Sequence, residues 1–446
     1  MRRDLHNDTY VSGWQSPRNE RGTWDIVQSC ALTIFLCTYT AIFLNVKPDL
    51  KRREYIWYKV KWVLFTLYCP EIVTAMAFEQ WKSAKQSMLD MKRMCDDQQA
   101  QAGGNEEKGV RITPPESKTA TWSSTHGFLA DAGGIHLKFP DSNSFPVNSY
   151  QLRRLVEGGH IPYPSIERKT ILDKNKADMF ARVVTTIQVI WFTVQCVARG
   201  AQGLRLTTLE LLTLAFAVCA FHAVLFWQDK PLDVDDPVVL DCSKSLNDVL
   251  YDFDQPTCPA NEYTQTPLDF LEPGPRFSYV IPFFKGMAWT ANIWPIERTS
   301  PVSTFPNTVT VLPGGLTFGD IMLGWLLVLM YYGIHFAAWN FAFPTPIEEL
   351  MWRIAAVMQA ATVTLFVLAC WPGNFLSKYV FGTQAPYTFQ QAMDTPRWLS
   401  RIWAIPIIAM YLFARAYIVV EGFVSLRTQP AVMFRTVNWW GFIPHI

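Results

Sequence analysis

Windows of about 20 mainly apolar residues recur along this chain, separated by polar, proline-rich stretches. No other feature restricts the fold as strongly. A helix rising 1.5 Å per residue needs about 20 apolar residues to cross a hydrocarbon core of about 30 Å. Seven windows meet this length: Trp24 to Val46, Val60 to Trp81, Met179 to Ala198, Thr207 to Trp227, Asp320 to Phe343, Arg353 to Trp371 and Ile402 to Phe423. They are apolar on all sides, the pattern of a helix in lipid or deep inside a bundle. Half of the residues are hydrophobic, yet mean hydropathy is only +0.08, so apolar residues are concentrated in these windows. The reading is an all-α integral membrane protein with about seven transmembrane helices and two long polar connections.

The expected divisions follow. They are an N-terminal tail (1–23), helices 1–2 (24–81), a long connection (82–178), helices 3–4 (179–227), an acidic Pro-rich loop (228–319), helices 5–7 (320–423) and an interfacial tail (424–446). The first connection opens as a basic amphipathic helix around Lys82, Lys85, Lys92 and Arg93. It continues through a stretch of disordered composition and into a small compact piece from Trp122. The second holds eleven acidic residues against Lys230 and Lys244 over 228–275, and an interfacial helix is expected at 279–294. No internal repeat is visible, against the commonest transporter architectures.

With seven spans, Lys and Arg in the short loops divide ten against seven. The excess falls on the side of the 47–59 loop, the 199–206 loop and the C-terminal tail, which places the N-terminus outside or in the lumen. The membrane would be the endoplasmic reticulum or the plasma membrane. The sequon Asn7-Asp8-Thr9 makes Asn7 a candidate glycosylation site on that side. No cleavable signal peptide precedes Thr23. Of nine cysteines, six lie in or beside windows and read as small apolar fillers. Cys242 and Cys258 lie in the acidic loop and are the candidate disulfide pair.

Ionisable groups in lipid cost roughly 2.5–3.5 kcal/mol each on insertion scales, so each needs an account. Glu71 follows Pro70 within the second window, where proline should kink the helix. It reads either as a proton or cation site or as a structural partner of Arg415 in the seventh window. Gln188, Gln195 and Arg199 are spaced seven and four apart and share one helix face. They line a polar interior or make interhelical hydrogen bonds. His335 and Trp339 share a face at i, i+4. An imidazole there suits acyl transfer or a proton relay, or it is a satisfied structural histidine. Candidate catalytic groups are thus Glu71 and His335, and Gln188, Gln195, Arg199, Arg415 and Trp339 are candidate lining residues. No spacing supports a metal site, no cofactor motif is found, and a net charge of +1 without a basic stripe gives no reason to expect nucleic acid.

Several stretches resemble a family of multi-pass membrane proteins widespread in filamentous fungi. They include Arg21-Gly22-Thr23-Trp24-Asp25-Ile26, Leu44-Asn45-Val46, Pro70-Glu71, Gln195-Cys196, Ala198-Arg199, Leu206-Thr207-Thr208-Leu209-Glu210 and Lys230-Pro231-Leu232-Asp233-Val234. His335 with Trp339-Asn340-Phe341, Trp352-Arg353 and Phe442-Ile443-Pro444-His445-Ile446 complete the set. The resemblance covers nearly the whole chain from Gly13. It implies a fungal source and several spans, and it transfers no catalytic residue. Two functions stay open. One is a non-enzymatic sensor or small-molecule carrier, partnered by the bilayer and a small hydrophobic molecule. The other is an intramembrane enzyme acting on a lipid or isoprenoid through Glu71 and His335.

Overall fold

A computed structural model describes residues 9–16, 20–46, 51–102, 121–172, 176–231, 234, 236–253, 263, 265–272, 300–307, 316–379 and 397–439. Asn7, Cys258, the stretch 103–120 and the expected helix at 279–294 lie outside them. The described chain is mostly helical.

Strand β1 (Tyr10–Ser12) precedes α1 (Thr23–Thr40), α2 (Arg52–Tyr68) and α3 (Pro70–Ala102). Then come α4 (Ser124–Asp131), β2 (Ile135–Phe139), β3 (Ser142–Pro146), α5 (Ser149–Glu157) and α6 (Arg168–Leu172). The long helices α7 (Lys176–Ala201) and α8 (Thr208–Phe226) are followed by β4 (Val238–Asp241) and α9 (Leu246–Asp252). Last are α10 (Phe318–Ala337), α11 (Pro346–Tyr379), α12 (Arg397–Val424) and β5 (Thr428–Pro430).

Among the described residues four helical segments are long and apolar enough to cross a membrane: Val183–Ala201, Thr208–Phe226, Phe318–Asn340 and Ile405–Arg427. A fifth is reached only if the α2–α3 pair counts as one span. That pair corrects the reading of Val60 to Trp81 as a single kinked helix. The chain bends by 108° between α2 and α3. Proline disfavours the helical region for the residue before it, and Cys69 leaves the helix at φ −133°, ψ 63°. Pro70 then opens α3 at its first position, where its missing N–H costs nothing. It ends one helix and begins another.

The expected seven passages are not reached among the described residues, and the two ends of the described chain meet. β1 pairs antiparallel with β5, Tyr10 opposite Pro430 and Ser12 opposite Thr428. Arg21 N–H donates to the Phe434 carbonyl. The N-terminal segment and the tail therefore share one end of the bundle. This tail end also gathers the end of α7, the start of α8 and the start of α11. Arg199 donates to the Met433 and Arg435 carbonyls, and Arg427 pairs with Glu348.

The opposite end carries a mixed module. Its sheet has the order β3-β2-β4, and β2 pairs in parallel with β4 about a hundred residues on, Ile135 opposite Val238. The core takes Met91 and Met94 from α3, Leu137, Phe139 and Phe145 from the hairpin, Leu152 and Leu155 from α5, and Val249, Leu268 and Leu271 from the second connection. The two long connections thus fold together.

A polar knot fastens module to bundle. The buried Lys230 ammonium donates to the Phe43 carbonyl (2.7 Å), Asn45 Oδ1 (3.0 Å) and Gln80 Oε1 (2.8 Å). Asn307 Oδ1 accepts from Asn45 N–H, and its carbonyl accepts from Gln80 Nε2. Beside the knot α4 crosses α3 at Gly127, where an added Cβ would sit 2.9 Å from both the Cα and the carbonyl oxygen of Ala84. Backbone cannot yield as a side-chain tip can. Gly127→Ala is expected to cost about 1–3 kcal/mol, the usual penalty of overpacking, read as a lower unfolding temperature of the module by tryptophan fluorescence. An unchanged midpoint would mean the helices separate freely.

The module is also expected to respond to pH. Burial, then the nearby Asp269, pushes the Glu272 carboxyl up to about 8. Asn148 Nδ2 and Gln151 Nε2 both donate to its Oε1. A carboxyl raised above its unfolded value contributes stability below about 4.5 that is lost as pH climbs toward 8. The module should therefore melt at a higher temperature at pH 5.5 than at pH 7.5, and Glu272→Gln should remove most of the difference. A wild-type midpoint that rises over this range would refute the assignment.

Candidate functional site

Midway along the bundle, the α2–α3 break brings polar groups from several helices together. Glu71, the second residue of α3, is 2% exposed. Its Oε1 accepts hydrogen bonds from the hydroxyls of Tyr332 on α10 (3.2 Å) and Tyr411 on α12. Its Oε2 has no hydrogen-bond partner among the described residues. Arg415, one turn after Tyr411, is fully buried. Its Nε donates to the Tyr68 carbonyl at 2.7 Å, an acceptor freed where α2 stops. The guanidinium lies over Phe216 of α8 (5.3 Å) and Tyr331 of α10 (5.1 Å). Nη1 and Nη2 have no partner among the described residues.

Glu71 and Arg415 thus face the same interior without forming the direct ion pair weighed from sequence. Tyrosine hydroxyls hold the carboxylate instead. The same interior holds more atoms without a partner among the described residues: the Tyr331 hydroxyl, His335 Nε2 and both polar atoms of the fully buried Gln359 amide on α11. His335 is turned toward its own helix, Nδ1 lying 2.9 Å from the Tyr331 carbonyl, and its ring packs between Tyr331 and Trp352. It does not meet Glu71. Beside the break a cavity of about 10 Å³ is lined by Thr38, Thr66, Pro70, Phe216 and Cys219 among others. That is room for about one water, and the Thr38 hydroxyl there also lacks a partner.

The remaining candidates fall elsewhere. Trp339 does not line the interior: α10 ends at Ala337, a 3-10 turn over Ala338–Asn340 rotates the indole outward, and the ring stacks with the Arg353 guanidinium (5.4 Å). Gln188 donates to Thr33 on α1 (3.1 Å), an interhelical bond, and Gln195 is half-buried one turn before Arg199. Arg199 belongs to the tail-end clamp. Its Nη groups bond three carbonyls, and its Nε lies 4.0 Å from Glu210. Cys242 is a buried free thiol donating to the His160 carbonyl. Among the described residues no cluster of His, Cys, Asp or Glu could hold a metal ion.

Reading charges alone misses Tyr68, Tyr331, Tyr332 and Gln359. A usable signal was present for the tyrosines: Tyr331-Tyr332 and Tyr411 sit inside apolar windows, where a hydroxyl needs a partner.

The arrangement defines a class: a long-helix bundle, with helices apolar enough to cross a membrane, around a closed polar centre whose groups are only partly satisfied. The chain belongs to a family of unknown function, DUF8562, which it matches over residues 4–253 and 325–446. No curated protein and no solved structure matches it.

Proposed function

We propose that this is a multi-pass membrane protein whose closed centre binds a small solute, as a carrier or sensor does, without chemistry on a lipid. In this reading α1, α7, α8, α10, α11 and α12 cross the bilayer, and α2–α3 enters and leaves on the module side. Large apolar side chains that face outward support it, among them Phe35 on α1, Ile187 and Val197 on α7, Leu326 on α10 and Phe413 on α12. The shared tail end and the Asn307 contacts of both Tyr58 and Gln80, one from each limb of the bent pair, support the same path.

The observation that carries the binding reading is the convergence of unmatched buried groups at Glu71 and Arg415. Each unsatisfied buried polar group costs about 1–3 kcal/mol, and charged ones more, a cost that a ligand would recover. The enzyme alternative draws less support, because Glu71 and His335 share no cavity and the space at hand is water-sized.

Thermal shift of the purified protein in lipid nanodiscs against small anions, cations and neutral solutes tests this. At least one solute should stabilise the wild type, and Arg415→Gln should lose that response. No response to any solute would overturn the binding reading. Tags at the two chain ends should be accessible from the same side of the membrane; opposite sides would overturn the proposed path.

A further inference from the structure

We infer that the centre takes up a small monovalent anion at Arg415 together with one proton at Glu71, a deepening that rests on the closed-centre reading above. A guanidinium stays charged at any ordinary pH and carries five N–H donors in a planar fork. Among the described residues only the Nε donor of Arg415 finds an acceptor, which leaves the four donors on Nη1 and Nη2 for a ligand. The aromatic faces of Phe216 and Tyr331 hold the plane of the fork but accept none of these hydrogen bonds in its plane. A planar fork with free terminal donors suits a carboxylate or halide.

Charge balance supplies the proton. The groups facing the Glu71 carboxyl are Tyr68 and Cys69 at the end of α2, Cys219 on α8, Tyr332 on α10, and Tyr411 and Arg415 on α12. Phenols and thiols are neutral at physiological pH, so the net charge is set by Glu71 and Arg415. With the carboxyl ionised, the empty centre is neutral: one carboxylate, one guanidinium. An anion arriving alone would leave a net negative charge in an apolar bundle, at a cost of several kcal/mol per unpaired ion. If Glu71 takes a proton on Oε2, neutrality returns. Both tyrosine bonds survive this, because they end on Oε1. One proton and one anion therefore enter as a neutral pair. Arg415 and Glu71 are fully enclosed, and the nearest free space, beside Pro70 and Phe216, is about 10 Å³, so small anions such as chloride and formate are suitable probes.

Isothermal titration of nanodisc-embedded protein with sodium formate and with sodium chloride would test this, using sodium sulfate at equal ionic strength as reference. Two buffers of different ionisation enthalpy report proton uptake. The wild type should bind one anion with one proton, and its affinity should weaken about tenfold per pH unit once Glu71 is ionised in the free protein, by mass action. Glu71→Gln, which keeps a neutral acceptor, should bind without proton uptake and with a flat pH dependence. Arg415→Gln should not bind. Should Arg415→Gln fail to fold, the loss of proton uptake in Glu71→Gln carries the test. Wild-type anion binding with no proton uptake overturns the coupling. Stabilisation by a cation or neutral solute without anion binding overturns this inference and leaves the closed-centre reading standing, and no response to any solute overturns both.

Discussion

Replacing Glu210 with alanine is expected to be among the most damaging single changes in the bundle, lowering stability by about 3–5 kcal/mol, the range for breaking a buried ion pair from one side. The Glu210 carboxylate receives Arg21 Nη1 at 2.5 Å and faces Arg199 Nε at 4.0 Å. It also closes the first turn of α8, accepting from Thr207 N–H (2.9 Å) and the Thr207 hydroxyl (3.0 Å). Removing it leaves two guanidinium groups facing each other without a counter-charge and strips the helix of its capping partner. Glu210→Gln keeps a side-chain acceptor for the cap and loses only the charge, so it should fall between. Cys30 and Cys196 are buried nearby, and their labelling by maleimide on heating reports opening at this end. A Glu210→Ala protein that exposes these thiols at the wild-type temperature would mean the clamp is dispensable.

Lys230→Met is expected to come next. It strands two acceptors, the Phe43 carbonyl and Asn45 Oδ1, in an interior where each unmatched group costs about 1–3 kcal/mol, while Gln80 Oε1 keeps its bond from the Trp227 indole N–H. Part of the loss is recovered by apolar packing of the methionine against Trp227, over whose ring the ammonium now lies. The bonds that fail join the end of α1, the middle of α3 and the end of α8, so the module should loosen from the bundle while each keeps its own helices. Protease cleavage in the segment after Thr40, faster than in wild type with unchanged helical circular dichroism, is the expected signature. Cleavage at the wild-type rate would show that the Asn45–Asn307 contacts suffice.

How far the fold is legible in the sequence depends on the range of the interactions that decide it. Long apolar windows mark α7, α8, α10 and α12 because lipid-compatible composition is a local property. The break at Cys69 is just as local, but Pro70 sits inside an unbroken apolar run, and the choice between kinking a helix and starting one is made by what packs on either side. The β2–β4 ladder joins strands a hundred residues apart, and nothing in Val238–Asp241 names Ile135 as its neighbour. Counting Lys and Arg in loops presupposes the number of passages, a property set by which helices pack together and not by any single loop. At the centre, Glu71 and Arg415 stand out from sequence because charge in an apolar window is conspicuous. Their partners do not, because tyrosine and glutamine blend into such windows.

The pairing of β1 with β5 bears on how the chain is made. Synthesis runs from the N-terminus, so α1, α7 and α8 are complete while Met433 and Arg435 have yet to leave the ribosome. Until those last residues arrive, the Arg199 fork lacks two of its three carbonyl acceptors and β1 has an open edge. A chain lacking them would present an incompletely bonded guanidinium, held only by the Arg205 carbonyl and Glu210, and an unpaired strand at the same end. β5 and the residues after it therefore complete this end of the bundle only after α1, α7 and α8 have formed.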